Sequence, residues 1–338
     1  MPWRFTETEE SETETPETEE PAEEEGVSFT GGGPAVTGRS TFGWWNEEAY
    51  QLWLDLTVLR DVHDALDPQD AFREALAEGF ARLLDVLDLE LPLPERRRAC
   101  AAARQRIAPL MNARNGTYAA SMGVIANSHL DLAWLWPVEE TRRKTARTFG
   151  AVLRLLKEYP EMIFLQSQCA EYELCRRNYP ELFEEVKSAI AEGRWIADGG
   201  MWVEPDTNLA GGEALVRQFL YGRRYFREVL GTESRVAWLP DTFGYSAALP
   251  QIIRGFGMTG LTTQKIFWSY NDSEPFPHHA FLWRGLDGTV IPTFLHMSYE
   301  TRVDAKTVHE RWAARLEQDG SCDFYLPFFK LTPELKFA

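Results

Sequence analysis

The chain of 338 residues holds no uninterrupted apolar run near the ~18 residues that a membrane-crossing helix needs. After Arg4 its first residues are mostly Glu and Thr, so no secretory leader is expected. Cysteine is scarce: Cys100, Cys169, Cys175 and Cys322 form neither a CxxC pair nor a disulfide framework. They read as reduced, mostly buried thiols, and the expected compartment is the cytoplasm. No basic stripe is present of the kind that displaces phosphate counterions, which argues against a nucleic-acid partner. No repeat of ~20–50 residues is visible, which argues against a solenoid or propeller.

What is present is acidic and apolar in separate places. Residues 1–25 carry eleven Glu and one Arg, so they supply −10 of the net charge of −17. The Glu/Thr/Pro run from Glu7 to Glu25 cannot offset its ordering entropy by burial and reads as disordered. Gly31-Gly32-Gly33-Pro34 extends that tail and linker over residues 1–40. The whole chain is 44% hydrophobic, and the part beyond this tail is long enough to bury a full core.

From Trp44 the apolar spacing turns helical, with Leu52, Leu56 and Leu59, then Ala71 to Leu84, then Pro94 to about Met111. Residues 41–118 are therefore expected to be a helical segment. Beyond Met122 the pattern changes to short buried-strand runs at 123–126, 162–165, 195–197 and 236–239, with weaker ones at 261–263 and 290–293. Amphipathic stretches lie between them at 138–159, 170–191 and 213–230. Strand and helix alternating at this spacing predict βαβ units and a parallel α/β sheet.

Ligands of such sheets lie beyond the carboxyl ends of the strands. His129 and Asp131 follow the first strand run, and Asp241 follows the run Val236–Leu239 in a turn marked by Pro240 and Gly244. An imidazole and carboxylates converging from strand ends suit a divalent metal. Each piece also has an ordinary reading, as a hydrogen-bonded pair or a turn former. Trp134, Trp136, Trp238, Phe243 and Tyr245 crowd these carboxylates. Aromatic faces stack on the C–H faces of sugars, although Trp136 and Trp238 read as core.

The stretch Asn127-Ser128-His129-Leu130-Asp131-Leu132-Ala133-Trp134-Leu135-Trp136-Pro137 closely resembles the opening metal motif of glycoside hydrolase family 38, the zinc-dependent α-mannosidases. Trp238 to Ser246 resembles that family's nucleophile motif, and segments 200–206, 212–218, 276–279 and 281–288 are similar to others in the same order. The resemblance implies a seven-stranded-type parallel β/α catalytic domain, a distorted β/α barrel, over residues 119–328. It also implies a single Zn2+ held by His129, Asp131 and Asp241, with Asp241 serving as nucleophile. Trp134 and Phe243 would line the sugar pocket, while Asp206, Lys265 and Trp268 are further candidates for substrate contact.

The implied reaction is retaining hydrolysis of terminal α-D-mannosyl residues in oligosaccharides or glycans. Expected partners are α-mannoside oligosaccharides and no membrane, with homo-oligomerisation left open. Two alternatives stand beside it: a catalytically incomplete metal-binding fragment, or a zinc-water hydrolase such as a deacetylase. Family members place an acid/base aspartate in a glycine-rich loop just past the position of Cys322–Phe328, and a fourth zinc ligand, a histidine, further on. No glycine follows Gly320 here, so residues 329–338 read as an atypical tail and the catalytic domain as incomplete. Asp323, His296 and His309 are poor substitutes, and weak catalysis is expected, failing first on disaccharides whose leaving oxygen needs a proton.

Overall fold

The computed structural model describes residues 45–114, 122–268, 276–298, 301–317 and 324–330, the side chains of Trp268 and of 324–330 excepted. The acidic run and Asp323 lie outside the described residues.

Among the described residues three helices come first: α1 (Glu47–Ala65), α2 (Ala71–Leu83) and α3 (Leu93–Met111). Asn46 caps α1 by accepting from the Ala49 N–H at 3.3 Å, and Asp70 caps α2 through Phe72 N–H at 2.8 Å. Each cap satisfies a donor that the first helical turn leaves open. The three helices bury Leu52, Leu59, Leu76, Cys100, Ala103 and Ile107 against one another in a core of their own.

The β/α part then alternates β1 (Met122–Asn127), α4 (Val138–Glu158), β2 (Phe164–Gln166), α5 (Cys169–Asn178), α6 (Pro180–Ala191), β3 (Trp195–Ala197) and α7 (Gly212–Tyr225). It continues with β4 (Val236–Leu239), α8 (Leu249–Gly255), β5 (Gly260–Thr263), β6 (Ala280–Arg284), β7 (Val290–Leu295), α9 (Ala305–Ala313) and β8 (Phe324–Lys330). The stretch expected as one helix over 170–191 is two. Pro180 cannot continue a helix that precedes it, and Tyr179 takes φ −142° between α5 and α6. The stretch expected over 213–230 ends in a π turn at Phe226–Leu230, closed by Gly231 at φ 70°.

Among the described residues the strands form two four-stranded sheets, ordered β3-β2-β1-β8 and β4-β5-β7-β6. The first is wholly parallel. In the second, β4, β5 and β7 are parallel and β6 returns antiparallel to β7. That hairpin was not anticipated: its turn at Gly285–Gly288 needs Gly288 at φ 85°, and β6 alternates exposure rather than reading as a buried run. The sheets adjoin where the Trp238 N–H donates to the Gly199 carbonyl at 3.3 Å.

Two glycines set the loop after β3. Gly200 sits at φ 83°, and a Cβ on Gly222 of α7 would come within 2.3 Å of the Gly200 carbonyl oxygen. Helix α7 can therefore press directly on that loop, where the Trp202 N–H donates to the Gln218 carbonyl at 3.0 Å. Beneath it, Phe149, Phe164, Tyr172 and Trp195 pack in one aromatic core, and Trp195 Nε1 donates to the Tyr172 hydroxyl at 2.8 Å.

Candidate functional site

Five successive strands, β1 to β3 parallel in one sheet and β4 and β5 parallel in the other, deliver chemistry to one place. Past β1 come His129 and Asp131, past β2 Gln168, past β3 Glu204, past β4 Asp241, and past β5 Lys265. Parallel strands point their carboxyl ends the same way, so the loops after them must meet.

The β1 loop is held by Thr141, fully buried at the start of α4. Its hydroxyl faces the Leu132 carbonyl at 2.6 Å and the Asp131 carbonyl at 3.1 Å, and it accepts from Trp136 Nε1 at 3.0 Å. Ser128 hydrogen-bonds Gln166 from below. These contacts fix the backbone on which His129 and Asp131 stand.

His129 is buried, and three carboxylates surround it. Its Nδ1 lies 3.2 Å from Glu204 Oε2, while Nε2 lies 3.5 Å from Asp131 Oδ1 and 3.4 Å from Asp241 Oδ2. Burial alone would lower its pKa, but hydrogen bonds to Asp131, Asp241 and Glu204 outweigh it and raise the imidazole well above its ordinary value. The other oxygen of Asp241 accepts from Lys265 Nζ. Burial opposes the charge on Asp241, yet hydrogen bonds from His129 and Lys265 win, and its carboxyl is held well below the usual carboxylate range. Lys265 Nζ also sits 4.3 Å from the centroid of the Phe243 ring, a cation–π contact.

The predicted ligands His129, Asp131 and Asp241 thus converge, each offering one donor atom within 4.8 Å of the others. A nitrogen and two carboxylate oxygens suit zinc, and three carboxylates around one imidazole and one lysine leave an excess of negative charge that a divalent cation would neutralise. The donor set fits the metal.

These residues line a cleft of about 190 Å³ with Leu132, Ala133, Val203 and Pro205. Asp206 and Phe243 line it as well. Asp206 Oδ1 also closes a turn by accepting from Asn208 N–H at 2.9 Å and Leu209 N–H at 3.4 Å. Trp134 follows Ala133 on the β1 loop, exposed, with its ring edge-on to Trp136 at 5.3 Å. Trp268 closes a 3-10 turn from Lys265, and its side chain lies outside the described residues. His296 is engaged elsewhere, with Nε2 2.5 Å from Thr262 Oγ1 and its ring beside Trp238; His309 lies on α9.

Sequence reasoning missed Glu204, Gln168 and Glu171. Glu204 Oε1 accepts from the Asp241 N–H at 2.6 Å and the Thr242 hydroxyl at 2.8 Å. Gln168 Oε1 accepts from the Glu204 N–H at 3.1 Å, while its Nε2 donates to the Leu130 carbonyl and to Glu171 Oε1, both at 2.8 Å. Burial pushes the Glu171 carboxyl well above its ordinary value. The available signal was position: Glu204, like Asp241, is a carboxylate just past a short apolar strand.

The profile of the glycosyl hydrolases family 38 N-terminal domain matches residues 119–321. Alpha-mannosidase G of Dictyostelium discoideum is 36% identical over 265 residues, covering 78% of this chain and 24% of that protein. Human alpha-mannosidase 2C1 is 36% identical over 253 residues, covering 74% of this chain and 24% of that protein. An alpha-mannosidase structure from Enterococcus faecalis V583 superposes with TM-score 0.53 at 20% identity, over 63% of this chain and 25% of that one. It shares the mixed α/β fold. The chain spans about a quarter of the length of the curated relatives it matches.

Proposed function

The chain belongs to glycosyl hydrolase family 38, and from that premise we propose that it is a zinc-dependent retaining α-mannosidase acting on terminal α-D-mannosyl residues of glycans. The observation that carries this reading is the convergence of His129, Asp131 and Asp241 at one end of the parallel strands. The names of the Dictyostelium and human relatives support the mannoside substrate. The bond between Trp238 and Gly199 supports the finer reading that the two sheets are consecutive arcs of one distorted β/α barrel. Free, buried Cys100, Cys169 and Cys175 support a cytoplasmic setting. No described helix is long and apolar enough to cross a membrane.

His129, Asp131 and Asp241 would hold the zinc, which when bound supplies a Lewis acid for neighbouring sugar hydroxyls. Asp241 is the nucleophile: it is kept ionised by His129 and Lys265, as attack on an anomeric carbon requires. Lys265 orients that carboxylate by holding one oxygen. Phe243 and Trp134 present exposed ring faces on which a pyranose can stack. The second carboxyl that a retaining mechanism needs ~5–5.5 Å away is assigned to none of the described residues.

The test is zinc content and p-nitrophenyl α-mannoside hydrolysis by the purified chain, before and after chelation. Stoichiometric zinc with chelator-sensitive release of p-nitrophenol supports the reading. Zinc without release points to a catalytically incomplete metal-binding fragment, and acetate release from an acetylated sugar points to a deacetylase.

A further inference from the structure

We propose that Glu204 is a positioning residue that fixes the metal-binding edge of His129 and the backbone of Asp241 together, an inference that rests on the metal reading above. The Glu204 side chain is only 6% exposed, so an ionised carboxylate there needs both oxygens engaged. Oε1 is hydrogen-bonded and Oε2 is paired by charge with His129, so each has a separate task. Oε2 faces His129 Nδ1 at 3.2 Å. Oε1 accepts from the Asp241 N–H at 2.6 Å and the Thr242 hydroxyl at 2.8 Å.

The first contact selects a tautomer. With its proton on Nδ1, on the side that faces the Glu204 carboxylate as its ion-pair partner, the imidazole turns the Nε2 lone pair toward Asp131 and Asp241, the edge at which the three donor atoms meet. The second contact clamps the first peptide of the turn that carries Asp241. One carboxylate therefore ties the β1 loop to the β4 loop, and the Glu204 backbone is tied to the β2 end by its N–H, which donates to Gln168 Oε1. A plain staple between loops would explain Oε1 alone. It would not explain why the other oxygen is spent on the one ring nitrogen of His129 that faces away from Asp131 and Asp241.

Glu204→Gln separates the two roles because shape is kept. If the amide oxygen replaces Oε1, the amide NH2 faces His129 Nδ1, which must become an acceptor and move the ring proton to Nε2. If the amide flips, NH2 opposes the Asp241 N–H and the turn is disturbed. Either way the metal-facing edge suffers more than the fold.

The experiment measures zinc affinity of the full chain and of Glu204→Gln by competition with a chromogenic chelator, alongside melting of the metal-free proteins and the cobalt(II) d–d spectrum. The expected result is cooperative melting of both, a zinc affinity lowered by about 10- to 100-fold and an altered cobalt spectrum. Affinity within roughly threefold of the original, well short of that range, with an unchanged cobalt spectrum overturns the proposal. If Glu204→Gln does not melt cooperatively, the tautomer decides. Nitrogen-15 NMR of the zinc-loaded original chain must show His129 protonated on Nδ1, and zinc bound at Nδ1 overturns the proposal. An original chain that binds no zinc overturns the metal reading itself, and the proposal with it.

Discussion

The floor and the rim of the cleft are built on opposite rules. On the floor, His129 and the Glu204 side chain are 5% and 6% exposed, and their charged contacts link the loops after β1, β3 and β4. On the rim, Trp134 and Phe243 are 65% and 67% exposed, touching little besides Trp136 and Lys265. The floor resembles a preorganised electrostatic device, in which charges are fixed before anything binds. The rim offers apolar faces whose burial is deferred until a ligand arrives. Substitutions on the floor should therefore change what is held, and substitutions on the rim how tightly substrate docks.

The sharpest break is Asp241→Ala. It removes the proposed nucleophile and one proposed metal donor, so α-mannoside hydrolysis should fall to background and zinc affinity should drop in the same variant. Initial rates and a zinc titration check both, and unchanged zinc affinity would show that the double role is wrong. Next is His129→Ala, whose loss should act through the proposed metal. Activity should collapse at stoichiometric zinc and recover in part at excess zinc. A collapse that no zinc concentration relieves would mean that His129 does more than hold a metal.

On the rim, Trp134→Ala should raise KM by about 10-fold, the scale of a lost aromatic contact of ~1–1.5 kcal/mol. Zinc affinity should stay unchanged. A fall in zinc binding without a change in KM would erase the distinction between the two layers.

A carboxylate outside the cleft supplies the smallest and most selective effect. Glu173 accepts from Arg176, Arg177 and Tyr225, and the Arg176 hydrogen bond leads the group that holds its carboxyl down at about 2. Because the folded value lies below the ordinary one of 4.5, the stabilisation is present above pH ~4.5 and is lost as pH falls toward ~2. Its arginine partners are half exposed or more, so Glu173→Gln should cost roughly 1 to 2 kcal/mol near neutrality after screening. The loss should vanish in acid, and zinc affinity should not move. Urea melts across pH, paired with a zinc titration, check this.

The same contrast explains what the sequence made legible. Strand ends β1 and β4 were readable because short apolar runs stop at His129 and Asp241, and the family motifs lie on those segments. The helical start was readable from the spacing of Leu52, Leu56 and Leu59. Glu204 was not singled out: its place in the loop after β3 was a local signal, but the contacts that give it importance are with residues 75 and 37 positions away. Gln168 was hidden for the same reason. The break at Pro180 was available locally and was overridden by the continuous amphipathic pattern around it. Strand β6 was hidden by its alternating exposure, and its exposed Leu282 reads as surface.

The central claim is that one divalent cation binds where His129 Nε2, Asp131 and Asp241 meet. Anomalous scattering at the zinc edge from crystals of the zinc-loaded chain tests it most directly. One strong peak is expected, bounded by those three side chains, with Glu204 facing Nδ1 on the far side of the ring. A peak at another cluster, such as His278 with Glu317, or no peak at saturating zinc, would contradict it.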